Sequence, residues 1–311
     1  RKGNSATLFL RAAWIYWFTF SGKFDLVVDE IHGIPAFSPL WAWKSARLAF
    51  IHEVAGSIWR AMFPLPIAVL GEFFETHIFP FVYKNTPFWV DCKSTKLDLV
   101  SLGIAAKNIT VIPCAHAAAE LVSLEKNTTL QLIFIARLVP MKGLHLAVAV
   151  LRHILEKQPD ATLLVVGVGD PTYIKNIEYQ AADLGKSLVF LGKVSDLEKN
   201  KLLRASHFLL HTSIKEGFGL TVLEANGQKT PAAVFDVHGL RDLVIPDKTG
   251  LLAPFGDSPQ LAEKILAIYG NKSAFARISE YAYNYSKKFQ WKHFTPMSLD
   301  LITKIVELKR K

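Results

Sequence analysis

The sequence has only two cysteines, Cys92 and Cys114, and they sit at no metal-ligand spacing. That count excludes a disulfide framework and makes a reducing, cytosolic compartment the default. Zinc spacings, RNA-binding signatures and long Lys/Arg runs are absent, so nucleic acid is the weakest partner class. No Asp-x-Asp pair offers paired carboxylates to a metal. No unbroken apolar run reaches the roughly 20 residues of a transmembrane helix. Residues 8–20 are too short and carry Arg11, and residues 58–83 contain Arg60, Pro64, Pro66, Glu72, Glu75 and His77. Both stretches mix aromatics with polar groups, as interfacial segments do; the simpler reading is buried domain core. The opening Arg1-Lys2-Gly3-Asn4 lacks a Met, so a fragment or a processed chain is expected.

What is present is apolar and basic. Of the 311 residues, 50% are hydrophobic and 20% charged, which suits two domains with their own cores and argues against chain-wide disorder. The formal net charge of +9 suits an anionic partner, such as an acidic membrane surface or a phosphorylated small molecule. An evenly solvated basic surface is the other reading.

Aromatics are dense before about residue 120, and afterwards short apolar runs alternate with helical patterns. Leu130-Gln131-Leu132-Ile133-Phe134-Ile135 predicts a buried strand, as do residues 161–166, 188–191, 207–211 and 232–235. Leu144, Ala147, Val148, Leu151, Ile154 and Leu155 recur at helical spacing, and Pro159 closes that helix. Such alternation predicts a doubly wound parallel sheet with ligands at the carboxyl ends of its strands. Residues 24–28, 48–51, 88–90 and 109–112 predict strands of another α/β sheet. The expected domains are 1–116 and 117–288, linked by about 115–128, with 289–311 returning as a helix to the first.

Glu216-Gly217-Phe218-Gly219-Leu220-Thr221-Val222-Leu223-Glu224 follows a buried strand and opens a helix. Its glycines let the backbone approach a ligand closely. The helix start offers N–H groups and partial positive charge to a phosphate. The two carboxylates can accept hydrogen bonds from sugar hydroxyls. That combination suits a nucleotide sugar; a glycine turn with a solvated Glu is the alternative. Arg137-Leu138-Val139-Pro140-Met141-Lys142-Gly143 also leads from a strand into a helix. Its two cations can neutralise a departing pyrophosphate, or simply be solvated. A nicotinamide site would need Gly-x-Gly-x-x-Gly, and Gly167-Val168-Gly169 lacks the third glycine at Thr172.

These two segments occur in order with Gly167-Val168-Gly169-Asp170, Phe190-Leu191-Gly192-Lys193-Val194 and Asp247-Lys248-Thr249-Gly250-Leu251-Leu252. Together they resemble the retaining, GT-B-fold glycosyltransferases of the group 1 (family 4) class, from about residue 24 to the C-terminus. The resemblance implies two Rossmann-like domains facing a cleft. It implies transfer of a hexose-type sugar from a nucleotide-sugar donor to a glycan or lipid-linked acceptor, as in polysaccharide biosynthesis, with no metal and no further cofactor. By the same resemblance, Arg137 and Lys142 bind the donor diphosphate and Glu216 contacts the transferred sugar. Gly217, Phe218, Gly219 and Leu220 form the loop whose backbone meets sugar and phosphate, and Glu224 holds the ribose. In Phe50-Ile51-His52-Glu53, His52 matches a histidine facing the reacting sugar; a structural histidine is the alternative.

Three departures stand out. The family's glycine-rich turn after its first strand is missing, so the chain is expected to start partway through that domain. Cys114-Ala115-His116-Ala117 replaces the usual Asn-Gly-Ile-Asp, and residues 226–231 replace a small-residue turn. A non-catalytic nucleotide-sugar-binding subunit therefore stays open as the alternative. The expected setting is the cytoplasm, with the aromatic and basic N-terminal residues at the inner face of the membrane.

Overall fold

The computed structural model describes residues 8–116 and 120–310; Arg1-Lys2-Gly3-Asn4 and Ala117 lie outside the described residues. The chain forms two compact units, Arg1–Cys114 with Trp291–Lys311, and Ala115–Gln290. In the first, β1 (Leu26–Ile31), β2 (Ala46–Ile51), β3 (Phe88–Val90) and β4 (Ile109–Val111) pair in that order, all parallel. Ile31, Ala49, Ile51, Tyr83, Phe88 and Leu99 form its main core. A second cluster joins Ala46 and Leu48 of β2 to Ile305, Leu301 and Ile302 of the terminal helix Trp291–Arg310. Apolar burial of this kind stabilises by about 25 cal/mol per Å².

The second unit adds β5 (Gln131–Ile135), β6 (Thr162–Val166), β7 (Leu188–Gly192), β8 (Phe208–His211), β9 (Ala232–Phe235) and β10 (Gly250–Ala253). They form one parallel sheet in the order β10-β9-β8-β5-β6-β7. β8 and β9 are buried along their whole length, which is why they read as unbroken apolar runs. From β5 the chain builds outward through β6 and β7, then returns to place β8 on the other side of β5. The topological switch point, where α/β sheets bind ligands, lies between β5 and β8.

Part of the expected linker belongs to this second unit. The Val122 N–H donates to Gln228 Oε1 at 3.0 Å, and Gln228 Nε2 donates to the Glu120 carbonyl at 3.0 Å. Lys126 Nζ donates to the Ser206 carbonyl at 2.5 Å and to Thr230 Oγ1 at 2.6 Å.

The structure corrects the core reading of the aromatic stretches. Leu65–Tyr83 is a single helix of 19 residues, long and apolar enough by length and composition to cross a membrane. Leu65, Ile67, Val69, Leu70, Phe73 and Phe81 are exposed on it, as are Leu10, Trp14, Trp17 and Phe18 of the N-terminal helical segment. The polar residues that interrupt the apolar run are used locally. Glu75 accepts the backbone N–H groups of Ala55 and Gly56, each at 2.7 Å, and Glu72 takes Arg60 bidentately at 2.6 and 2.9 Å. The end of the helix is tied down, because buried Tyr83 donates to buried Asp29 at 2.5 Å.

Candidate active site

The loops after β5 and β8 meet at the switch point because one glycine lets them. Gly143 has φ +71°, and a Cβ there would lie 2.0 Å from the Thr212 carbonyl oxygen. Thr212 Oγ1 in turn donates to the Gly143 carbonyl at 2.8 Å. This contact brings Lys142 Nζ to 2.5 Å from Glu216 Oε1. The same oxygen accepts from Ser213 Oγ at 2.9 Å, and His211 Nε2 lies 3.5 Å away. On the other side of Glu216, Gly239 has φ +83°, and a Cβ on it would meet the Glu216 carbonyl at 2.2 Å.

The Glu216 and Lys142 side chains are only 12% and 19% exposed, so their pairing is weakly screened. Burial alone would raise the Glu216 pKa. The opposing charges of His211 and Lys142, with hydrogen bonds from Lys142 and Ser213, hold it below the usual carboxylate range. Burial first, and then the charge of Lys142, push the His211 pKa down against the opposing pull of Glu216.

Around this pair, Arg137 is exposed and takes no part in the hydrogen bonds to Glu216. Gly217 is buried, and Gly219 is the N-cap of the Leu220–Gly227 helix. Phe218 is buried with its ring 5.9 Å from that of Phe289, so its side chain serves the core and only its backbone can serve a ligand. Leu220 is exposed. Glu224, half-buried in the same helix, accepts from Lys199 Nζ at 3.0 Å. The Lys199 pKa is raised: burial lowers it, but the bonds to Glu224 and Asp196 prevail.

His52 lies in the first unit, directly after β2. Its Nδ1 is hydrogen-bonded to Asp91, which follows β3 and is 1% exposed. That bond outweighs burial and raises the His52 pKa. Thr95 Oγ1 fixes the backbone by donating to the His52 carbonyl at 2.9 Å. Ser213, His211, Gly239, Lys199 and Asp91 were not singled out as site residues in the sequence. The available signals were weak: a histidine closing a predicted strand, and an acid just after another.

The family profile described as glycosyl transferases group 1 matches residues 119–285. The chain belongs to the group 1 glycosyl transferases. Over 133 residues it is 32% identical to a phosphatidyl-myo-inositol mannosyltransferase of Mycobacterium leprae (strain TN), covering 42% of this chain and 35% of that protein. Over 146 residues it is 36% identical to a trehalose synthase of Thermococcus litoralis, covering 44% of this chain and 35% of that one. The matched region thus spans about a third of the length of these curated relatives. Among solved structures, Anabaena Alr3699/HepE in complex with UDP and glucose matches with TM-score 0.78 at 17% identity, over 97% of this chain and 83% of that chain. The sucrose-phosphate synthase of Thermosynechococcus elongatus matches with TM-score 0.78 at 20% identity, over 97% and 79%. Identities this low show the fold, which is GT-B, as read from the sequence. A group 1 glycosyl transferase fold accounts for the two parallel sheets and their flanking helices.

Proposed function

We propose that this group 1 glycosyl transferase moves a hexose-type sugar from a nucleotide-sugar donor to a glycan or lipid-linked acceptor, with retention at the anomeric carbon. The observation that carries the reading is Lys142 held against Glu216 at the switch point between β5 and β8. A cation for the diphosphate thus stands beside an acid for the sugar. Arg137 supplies a second, fork-shaped cation from the same turn. The start of the Leu220–Gly227 helix offers N–H groups to a phosphate. Glu224 accepts from the ribose hydroxyls.

In the proposed reaction the bond from the anomeric carbon to the diphosphate breaks, and the acceptor oxygen bonds to that carbon on the same face. The acceptor proton leaves with the diphosphate. Arg137 and Lys142 stabilise the departing charge, so transfer needs no metal and no cofactor. His52, oriented by Asp91, faces the transferred sugar.

Calorimetry with UDP, GDP and ADP tests the donor site. At least one is expected to bind, more weakly as salt is added. Arg137→Ala and Lys142→Ala should each weaken binding by about 1–3 kcal/mol; loss of the exposed Arg137 should leave thermal unfolding intact, whereas Lys142→Ala strips the buried Glu216 of its cation and should lower the Tm as well. No binding of any of the three to the wild type overturns the reading.

We further propose that the exposed apolar face of the first unit rests on the cytoplasmic leaflet. Trp14, Trp17, Trp43, Leu65, Leu70 and Phe73 supply the apolar contact, and Arg11, Lys44 and Arg60 lie close to them in sequence. The polar ties of the Leu65–Tyr83 helix, at Glu75 in its middle and Tyr83 at its end, support a surface contact rather than a span. The protein should partition onto anionic vesicles more than onto neutral ones. Equal partition would remove the electrostatic part of the proposal, and no partition onto either would remove all of it.

A further inference from the structure

The carboxyl ends of β1 and β2 bring to His52 two residues, Glu30 and His32, that sugar transfer does not explain. Glu30 and His32 are two residues apart on β1 and its exit, so they project to one face. The parallel register pairs Ile31 with Ile51, which sets His32 beside His52. Their rings lie 4.9 Å apart. Glu30 Oε1 is 3.0 Å from His32 Nε2 and 3.9 Å from His52 Nε2. One ligand atom from each of the three residues lies within 4.8 Å of the others. In a tetrahedral zinc site, with bonds of about 2.0–2.1 Å, neighbouring ligand atoms stand roughly 3.3 Å apart. Small side-chain rotations close the difference.

We propose that Glu30, His32 and His52 bind one divalent transition-metal ion of the zinc class. Two imidazoles and a carboxylate select such an ion over magnesium or calcium, which take oxygen ligands. Three protein ligands leave a fourth position for water. The hydrogen bond from His52 Nδ1 to buried Asp91 leaves Nε2 to carry the lone pair, and a carboxylate behind a ligating histidine is the usual support of a metal site. The ion is not a catalyst of transfer. It occupies the nitrogen that His52 would turn toward the sugar, so it inhibits; that consequence rests on the role proposed for His52, whereas the binding does not.

The test is titration of the whole chain with Co²⁺, read by its visible absorption, followed by calorimetry with Zn²⁺. One ion per chain is expected. His32→Ala and Glu30→Gln should each weaken Zn²⁺ binding by about tenfold or more, while Cys114→Ser binds like the wild type. Zn²⁺ should inhibit transfer by the wild type, reversibly on adding EDTA, and far less in His32→Ala. Absence of one-to-one binding, or equal binding by His32→Ala, overturns the site. Loss of binding in Cys114→Ser also overturns it, because the ion would then sit on the Nδ1 side of His52, with Asp91 and Cys114. Binding without inhibition upholds the site and overturns the role given to His52.

Discussion

The Glu216→Gln enzyme is expected to transfer sugar about 10²–10³-fold more slowly at saturating donor, the range for losing one preorganised charge-stabilising group. It should nevertheless bind a bare nucleoside diphosphate at least as tightly as the wild type. Both halves follow from the pairing of Glu216 with Lys142 at 2.5 Å. Lys142 already has a partner in Glu216, and an arriving diphosphate must compete with the carboxylate for it. An amide competes poorly, so the substitution frees Lys142 for the phosphates. The reacting sugar loses a carboxylate held below its usual pKa where charge develops, and only interactions stronger in the transition state than in the ground state change the chemical rate. Glu224→Gln should behave differently: ribose is unchanged during transfer, so the donor KM rises and kcat stays near the wild-type value. Initial-rate kinetics with a competent donor, set beside diphosphate calorimetry, separate the two acids. Loss of diphosphate binding in a folded Glu216→Gln enzyme would take Glu216 away from the sugar.

The parts of the fold legible in the sequence are those whose burial is total. β8 and β9 are buried on both faces, so they stand out as apolar runs between helical patterns. β10 is nearly as buried, yet it overlaps the Asp247-to-Leu252 segment, whose turn residues mask it as a strand. The Leu65–Tyr83 helix misled for the opposite reason. Apolar content says how much surface avoids water, not whether protein or something else covers it. In the site, the motifs carrying Arg137, Lys142, Glu216 and Glu224 announce themselves by glycines and charge at strand ends. Their partners do not. Lys142 reaches Glu216 across 74 positions, and His52 reaches Asp91 across 39. Those contacts depend on which strands become neighbours, and local pattern does not encode that order.

Lys126→Met should stabilise the protein at pH 6, and the gain should shrink as the pH rises. Lys126 is half-buried, with two neutral oxygens as hydrogen-bond acceptors and no carboxylate among its hydrogen-bond partners. Burial first, and then the charge of Arg204, push its pKa from the ordinary 10.5 down to about 6. Between those values the unfolded chain holds a proton that the folded chain lacks, so folding stability rises with pH across that window. Below about pH 6 both states hold the proton and the folded state bears the whole burial cost; above about pH 10.5 neither does. At about 1.4 kcal/mol for each pH unit, that cost is of the order of 4–6 kcal/mol at pH 6. Methionine removes the charge but leaves the Ser206 carbonyl and the Thr230 hydroxyl without this donor, a loss of about 1–3 kcal/mol. Thr230 Oγ1 still donates to the Leu203 carbonyl at 2.5 Å, which limits the loss. The variant should therefore gain about 3 kcal/mol at pH 6 and fall below the wild type near pH 10. Urea unfolding of both proteins at pH 6, 7.5 and 9 is the measurement. A difference between them that does not change with pH would mean that Lys126 keeps its proton in the folded state throughout.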